Sequence, residues 1–253
     1  MVAGSDAILV AEDVNKNFAA VTAAREVNAA VPKGAIWSLI GSNGAGKTTF
    51  VNMVTGYIKP DTGHILFEGR DITKLQPRAI TRLGICRSFQ IHQLCAELSV
   101  LENMLIALAI SKQTPPSFWR LGTSSENVDK AMDALEKFHL ADFRDNRMGE
   151  LSAGSRKLLD ISMAIAGHPK VMLLDEPTSG VASEEKFPIM DLVMDVLKSA
   201  DVTVLFVEHD MDIVTRYSDR VLAFYDGQII ANDAPDEVLS DEQVQRYVTG
   251  KLK

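Results

Sequence analysis

Cysteine is nearly missing from this chain: only Cys86 and Cys95 occur among 253 residues. Two thiols are too few, and too loosely placed, for a disulfide scaffold or a thiolate metal site. Long apolar runs are missing as well. The nearest, Met104 to Ile110, is far below the roughly 18 residues that would span a bilayer, so any membrane role must come through a partner. Positive charge is not in excess. With 26 Lys and Arg against 34 Asp and Glu the formal net charge is −8, which argues against a basic grip on nucleic acid. The start Met1-Val2-Ala3-Gly4-Ser5-Asp6 has no basic-then-apolar segment, and together with the scarcity of cysteine this predicts a reducing, cytosolic compartment.

What is present is a hydrophobic content of 46%, enough for one large core, and a single copy of each motif described below. That predicts one domain carrying a subdomain. Residues Gly41-Ser42-Asn43-Gly44-Ala45-Gly46-Lys47-Thr48-Thr49 match G-x-x-x-x-G-K-[ST] directly after the apolar run Ala35 to Ile40. The placement predicts a phosphate-binding loop. Its glycines let successive N–H groups turn toward a phosphate at the positive end of a helix beginning near Lys47. Lys47 adds a point charge between the β- and γ-phosphates, Thr48 offers a hydroxyl to Mg²⁺, and Thr49 reaches toward the α-phosphate. Val171-Met172-Leu173-Leu174-Asp175-Glu176 is an apolar run ending in two carboxylates, the pattern of a buried parallel strand delivering acids to its C-terminal end. Asp175 is then placed to hold Mg²⁺ through water, and Glu176 to polarise an attacking water.

Strands are expected over Ile8 to Phe18, Val27 to Val31, Ala35 to Ile40 and His64 to Gly69, with a helix over Lys47 to Thr55, and Gly84 to Phe89 carries the chain to Gln90. From Ser99 to Gly167 the periodicity turns helical: Val100, Leu101, Met104, Leu105 and Leu108, then Val128, Ala131, Met132, Leu135 and Phe138. Strand and helix alternate again from Lys170 to Phe224, which fits a largely parallel sheet. Asp241 to Val248 reads as a terminal helix.

Three further motifs narrow the class. Leu151-Ser152-Ala153-Gly154-Ser155 resembles the L-S-G-G-Q signature of ATP-binding-cassette ATPases, Gln90 in Ser88-Phe89-Gln90 resembles their glutamine loop, and His209 in Val207-Glu208-His209-Asp210 resembles their switch histidine. With the phosphate loop and the acidic strand, five motifs stand in the family's order. The chain therefore resembles the nucleotide-binding subunit of an ABC transporter over essentially its whole length. The segment Gln113 to Arg120 with Phe118 and Trp119, the Ser88-Phe89-Gln90 run and the C-terminal tail are similar to one branch, the ATPases of branched-chain (hydrophobic) amino-acid importers and their relatives for urea, amides and aromatic acids.

The resemblance implies an α/β fold: a P-loop NTPase (RecA-like) core with a mostly parallel sheet, an N-terminal antiparallel β subdomain and an inserted α-helical subdomain. In residues it implies one domain over 1–253, with a core of 1–92 and 168–253 and a helical subdomain of about 93–167. It implies ATP and Mg²⁺ as ligands and a head-to-tail pair with a second cassette, itself or an unlike one. Further implied partners are transmembrane permease subunits, with the groove near Ile91 to Leu98 receiving one of their helices, and indirectly a solute-binding protein. The implied location is peripheral, on the cytoplasmic face of the plasma membrane. Phe18 would stack on adenine. Lys47, Gln90, Glu176 and His209 would be catalytic, Thr48, Gln90 and Asp175 would serve the metal, and Ser152 and Gly154 would contact the γ-phosphate across the pair. Ala153, Ser155, Arg156 and Ala182, and Ala19 and Ala20 after the aromatic, depart from the family pattern. They leave open a weakly hydrolytic regulatory cassette, and the tail leaves open the ATPase of a lipid or lipopolysaccharide exporter.

Overall fold

In a computed structural model the described residues are 6–19, 21–88, 95–111 and 124–250. Gln90, Phe118, Trp119, Ala20 and most of the groove at 91–98 lie outside them. The chain divides into two compact units, residues 1–85 with 202–253, and residues 86–201.

The first unit opens with an antiparallel sheet of order β2-β1-β4-β5, built from β1 (Ala7–Phe18), β2 (Val21–Pro32), β4 (Thr62–Phe67) and β5 (Arg70–Asp71). β2 begins well before the Val27 expected from sequence. Its start, Val21-Thr22-Ala23-Ala24, is rich in small residues of weak strand preference, but pairing of Phe18 with Val21 and Asn17 with Thr22 carries the ladder to the turn. Where the register shifts, Asn side chains replace lost ladder bonds. Asn28 Oδ1 accepts from the Asp13 N–H at 2.9 Å, and Asn15 Oδ1 accepts from the Glu26 N–H at 2.8 Å.

The same unit holds β3 (Ile36–Gly41), buried throughout, between the parallel strands β8 (Thr203–Val207) and β9 (Arg220–Tyr225), with β10 (Gln228–Asp233) antiparallel on β9. Burial on both faces explains the unbroken apolar runs seen in sequence. The β3 start is fixed by Asp219, whose Oδ2 accepts from the Ile36 N–H at 2.7 Å. Helix α1 (Lys47–Val54) follows β3 through the phosphate loop, and its Phe50 ring lies 5.7 Å from the Phe224 ring of β9. Both rings are fully buried, so this contact holds the helix on its sheet. Helix α2 (Pro77–Leu83), not foreseen from sequence, carries the expected punctuation: Pro77 in its first turn and Gly84 in the left-handed region at φ 114°.

The second unit contains α3 (Val100–Ser111), α4 (Ser125–Lys137), α5 (Ala153–Ile165), β7 (Val171–Asp175) and α6 (Ser183–Ser199), with β6 (Ile85–Arg87) beside β7. The helical periodicity is realised: Val100, Met104 and Leu108 of α3 and Ala131 and Leu135 of α4 are buried. α3 packs against both α4 and α5. Ser124 and Ser152 cap α4 and α5 by accepting the N–H groups of Asn127 and Ser155.

Helix α6 lacks such a cap. Ala182 stands at its N-cap with the extended backbone a capping residue needs (φ −59°, ψ 145°) and has no side-chain acceptor. Ala182→Asn is therefore expected to stabilise the isolated subunit by about 1 kcal/mol, read as a rise of about 2–4 °C in the thermal midpoint. The first unit closes with α7 (Met211–Tyr217), α8 (Pro235–Ser240) and α9 (Glu242–Tyr247).

Candidate functional site

The phosphate loop, Ser42 to Gly46, joins the C-terminal end of β3 to the N-terminus of α1. Gly46 is required there twice over. Its φ of 109° is closed to most side chains, and a Cβ at that position would meet the Ala23 carbonyl oxygen at 2.6 Å. The helix starts at Lys47 without a side-chain cap, and the N-terminus of a helix is the end that favours an anion. Lys47 is only 6% exposed, and its Nζ donates to Gly41 O at 2.6 Å and Ser42 O at 3.0 Å. The ammonium is thus folded over the loop by the loop's own carbonyls. Ser42, Asn43, Gly44 and Thr48 are exposed, Thr49 is half-buried and Ala45 is buried.

Two neighbours flank the loop. The Asp226-Gly227 turn between β9 and β10 has both residues at positive φ, 47° and 76°, the two-residue hairpin geometry that favours Asp-Gly. Gly227 donates its N–H to Ala45 O at 3.1 Å and accepts from the Arg25 N–H of β2 at 2.8 Å. The second neighbour is the C-terminal tail. Tyr225 and Tyr247 stack with centroids 4.5 Å apart, and beyond the stack Val248 and Thr249 line a hollow of about 370 Å³ with Gly41, Ser42, Asn43, His209 and Met211. His209 and the loop, far apart in sequence, therefore share one cavity. Phe18, at the end of β1, is 44% exposed, with Lys16 Nζ 5.4 Å from its ring centroid. It is a surface ring and not part of the core.

Asp175 ends β7, and Glu176 follows in the left-handed region at φ 46°, a conformation that costs a non-glycine residue on the order of 1–3 kcal/mol and recurs at active sites. Asp175 is held from two directions. Arg87 Nη2 of β6 donates to its Oδ2, and Lys157 Nζ of α5 donates to its main-chain oxygen at 3.2 Å. Neither cation was singled out from sequence. Their signals were a charge inside a short strand and a lysine on the buried face of a helix. Cys86, next to Arg87, is not a nucleophile: burial pushes its thiol up to about 11.

Ser152 caps α5 with Oγ 3.1 Å from the Ser155 N–H. It is exposed, whereas Gly154 is buried, and a Cβ there would meet Ile189 Cδ1 of α6, the end of a flexible side chain, at 2.6 Å, so that Ile189 would have to shift. Ala153, where the family has glycine, is exposed, so the departure is sterically tolerated.

Residues 24–179 match the ABC transporter family. The chain belongs to that family. It is 37% identical over 252 residues to the probable branched-chain amino acid transport ATP-binding protein LivG of Methanocaldococcus jannaschii, covering 96% of this chain and 98% of that protein. It is 32% identical over 255 residues to the high-affinity branched-chain amino acid transport ATP-binding protein LivG of Escherichia coli (strain K12), covering 98% and 99%. A crystal structure of the ADP conformation of an ATP-binding cassette of an ABC transporter superposes with a TM-score of 0.85 at 37% identity, covering 95% of this chain and 97% of that one. The chain is thus an ABC-transporter ATP-binding protein with the ATPase fold expected of it: an antiparallel β subdomain, a mostly parallel sheet and a helical insert. It carries the ATPase domain of an ABC transporter. No helix among the described residues is long and apolar enough to cross a membrane.

Proposed function

We propose that this cassette hydrolyses ATP with Mg²⁺ to drive uptake of branched-chain amino acids, or of the related amides, urea or aromatic acids, through permease subunits to which it binds on the cytoplasmic face of the membrane. The observation that carries the reading is near-full-length similarity to LivG proteins. Its pairing partner is a second cassette, like or unlike itself, and a solute-binding protein acts indirectly through the permeases.

In this reading Gly41 to Gly46 present N–H groups to the phosphates, Lys47 balances their charge, Thr49 reaches the α-phosphate, and Phe18 lies on the adenine. Glu176 orients the attacking water and accepts its proton, and His209 holds the γ-phosphate side of the cavity. Ser152 and the Gly154 N–H serve the partner's nucleotide, favoured by the positive end of α5. The donors assigned to the metal are all hard oxygens, the Thr48 hydroxyl, the Asp175 carboxylate and the Gln90 amide. Among the described residues there is no group of three or more His, Cys, Asp or Glu that could cage an ion. Such a set fits Mg²⁺, which is held by few protein oxygens together with substrate phosphates. When bound, the ion would neutralise charge on the β- and γ-phosphate oxygens.

Reconstitution with its permeases and solute-binding protein in proteoliposomes tests the solute class. Labelled leucine, isoleucine or valine should accumulate only when ATP is supplied on the cassette side. Uptake of urea or short amides alone would move the assignment within the branch. Movement of lipid with no solute uptake would replace the importer reading with an exporter.

A further inference from the structure

The carboxylate assigned to the metal already has a cation beside it. Arg87 and Asp175 form an ion pair in which the two side chains are 13% and 15% exposed. The pair is fixed by backbone as well as by charge, because the Ser88 N–H donates to Leu173 O at 2.9 Å and ties the end of β6 to β7. Lys157, itself buried, engages the main-chain oxygen of the same residue. Two cations from two elements therefore converge on one strand tip. Ion pairs this shielded from water contribute little net stability, so stability alone gives a weak reason for the arrangement.

We propose that Arg87 is a positioning residue that neutralises Asp175 and thereby lowers the affinity of the cassette for Mg²⁺, so that the metal is taken up with nucleotide phosphates and not ahead of them. The inference rests on the reading of Asp175 as a metal-holding residue. Guanidinium stays charged at every physiological pH, so the effect does not depend on titration. With its charge balanced, Asp175 attracts a free dication weakly. The phosphates of a bound nucleotide must then supply most of the negative charge the ion needs. Arg87 also lies three positions before Gln90 in the sequence, another of the three residues assigned to the metal.

Mn²⁺ followed by its EPR signal reports metal binding without turnover, in intact protein saturated with ADP and again without nucleotide. Arg87→Gln is expected to tighten Mn²⁺ binding at least roughly three- to tenfold in both conditions, the lower bound that water-like screening sets for removing one unit charge about 6–10 Å from a dication. Arg87→Lys keeps the charge and should bind within about twofold of the unsubstituted protein. If Arg87→Lys tightens binding as much as Arg87→Gln, charge is not the cause and the proposal fails. Unchanged or weaker binding in Arg87→Gln also overturns it, provided that Asp175→Asn weakens Mn²⁺ binding. Should Asp175→Asn leave the metal untouched, the assignment of Asp175 fails first and the inference falls with it. A thermal scan of each variant identifies loss of fold, and because Arg87→Lys retains the ion pair, the charge comparison does not depend on Arg87→Gln alone.

Discussion

Lys47→Ala is expected to lower ATP turnover by about 100-fold or more, the scale seen when one preorganised donor is taken from a site that stabilises developing negative charge. The structure gives the reason in the resting loop. The ammonium is buried and held by two carbonyls at the end of β3, so it meets an arriving phosphate without first having to be ordered. Alanine removes the charge and also leaves the Gly41 and Ser42 carbonyls without that donor, each loss costing about 1 kcal/mol. Nucleotide affinity should therefore fall together with turnover. Initial rates at saturating ATP, with ADP binding measured in parallel, separate the two effects. Turnover within twofold of the unsubstituted protein would remove Lys47 from the site.

What sequence disclosed best was chemistry whose geometry is local. The phosphate loop is a run of backbone demands, and each demand is written in the residue that meets it: Gly46 at φ 109°, and Lys47 one residue later on the first turn of α1. Val171 to Asp175 was legible because a strand buried on both faces admits only apolar residues until its end. The helices of the second unit were legible from period alone, as Ala131 and Leu135 illustrate.

The remainder depends on contacts between distant segments. Nothing in Asp226-Gly227 beyond a hairpin turn announces that its N–H would brace Ala45, and nothing in Val248-Thr249 announces a place beside Asn43 and His209. Gly154 is assigned to phosphate contact, and nothing in its sequence surroundings announces that the tip of Ile189 from another helix also lies against its Cβ position. Arg87 and Lys157 were overlooked for a related reason. Each looks like a misplaced charge until the strand tip they serve is in view.

Glu176→Gln should separate binding from hydrolysis more sharply than any other single change. The amide keeps the shape of the side chain and can still hydrogen-bond to water, but it cannot accept the proton as water attacks, so turnover should fall by about 100- to 10,000-fold. Backbone geometry favours this substitution over a truncation. Glu176 sits at φ 46° directly after Asp175, and an isosteric replacement leaves that strained turn and the Ser179 N–H bond to its carbonyl, 3.1 Å long, as they are. ATP binding should persist. If ATP joins two cassettes, with the loop of one facing Ser152 of the other, a variant that cannot hydrolyse will accumulate the joined form. Light scattering after size exclusion in ATP and Mg²⁺ should then show a larger dimer fraction for Glu176→Gln than for the unsubstituted protein, and the excess should disappear in ADP. A variant that binds ATP, fails to turn over and stays monomeric would retain Glu176 as the catalytic base while excluding a self-paired sandwich. The same measurement repeated with an unlike cassette added would then show whether the partner is a different chain.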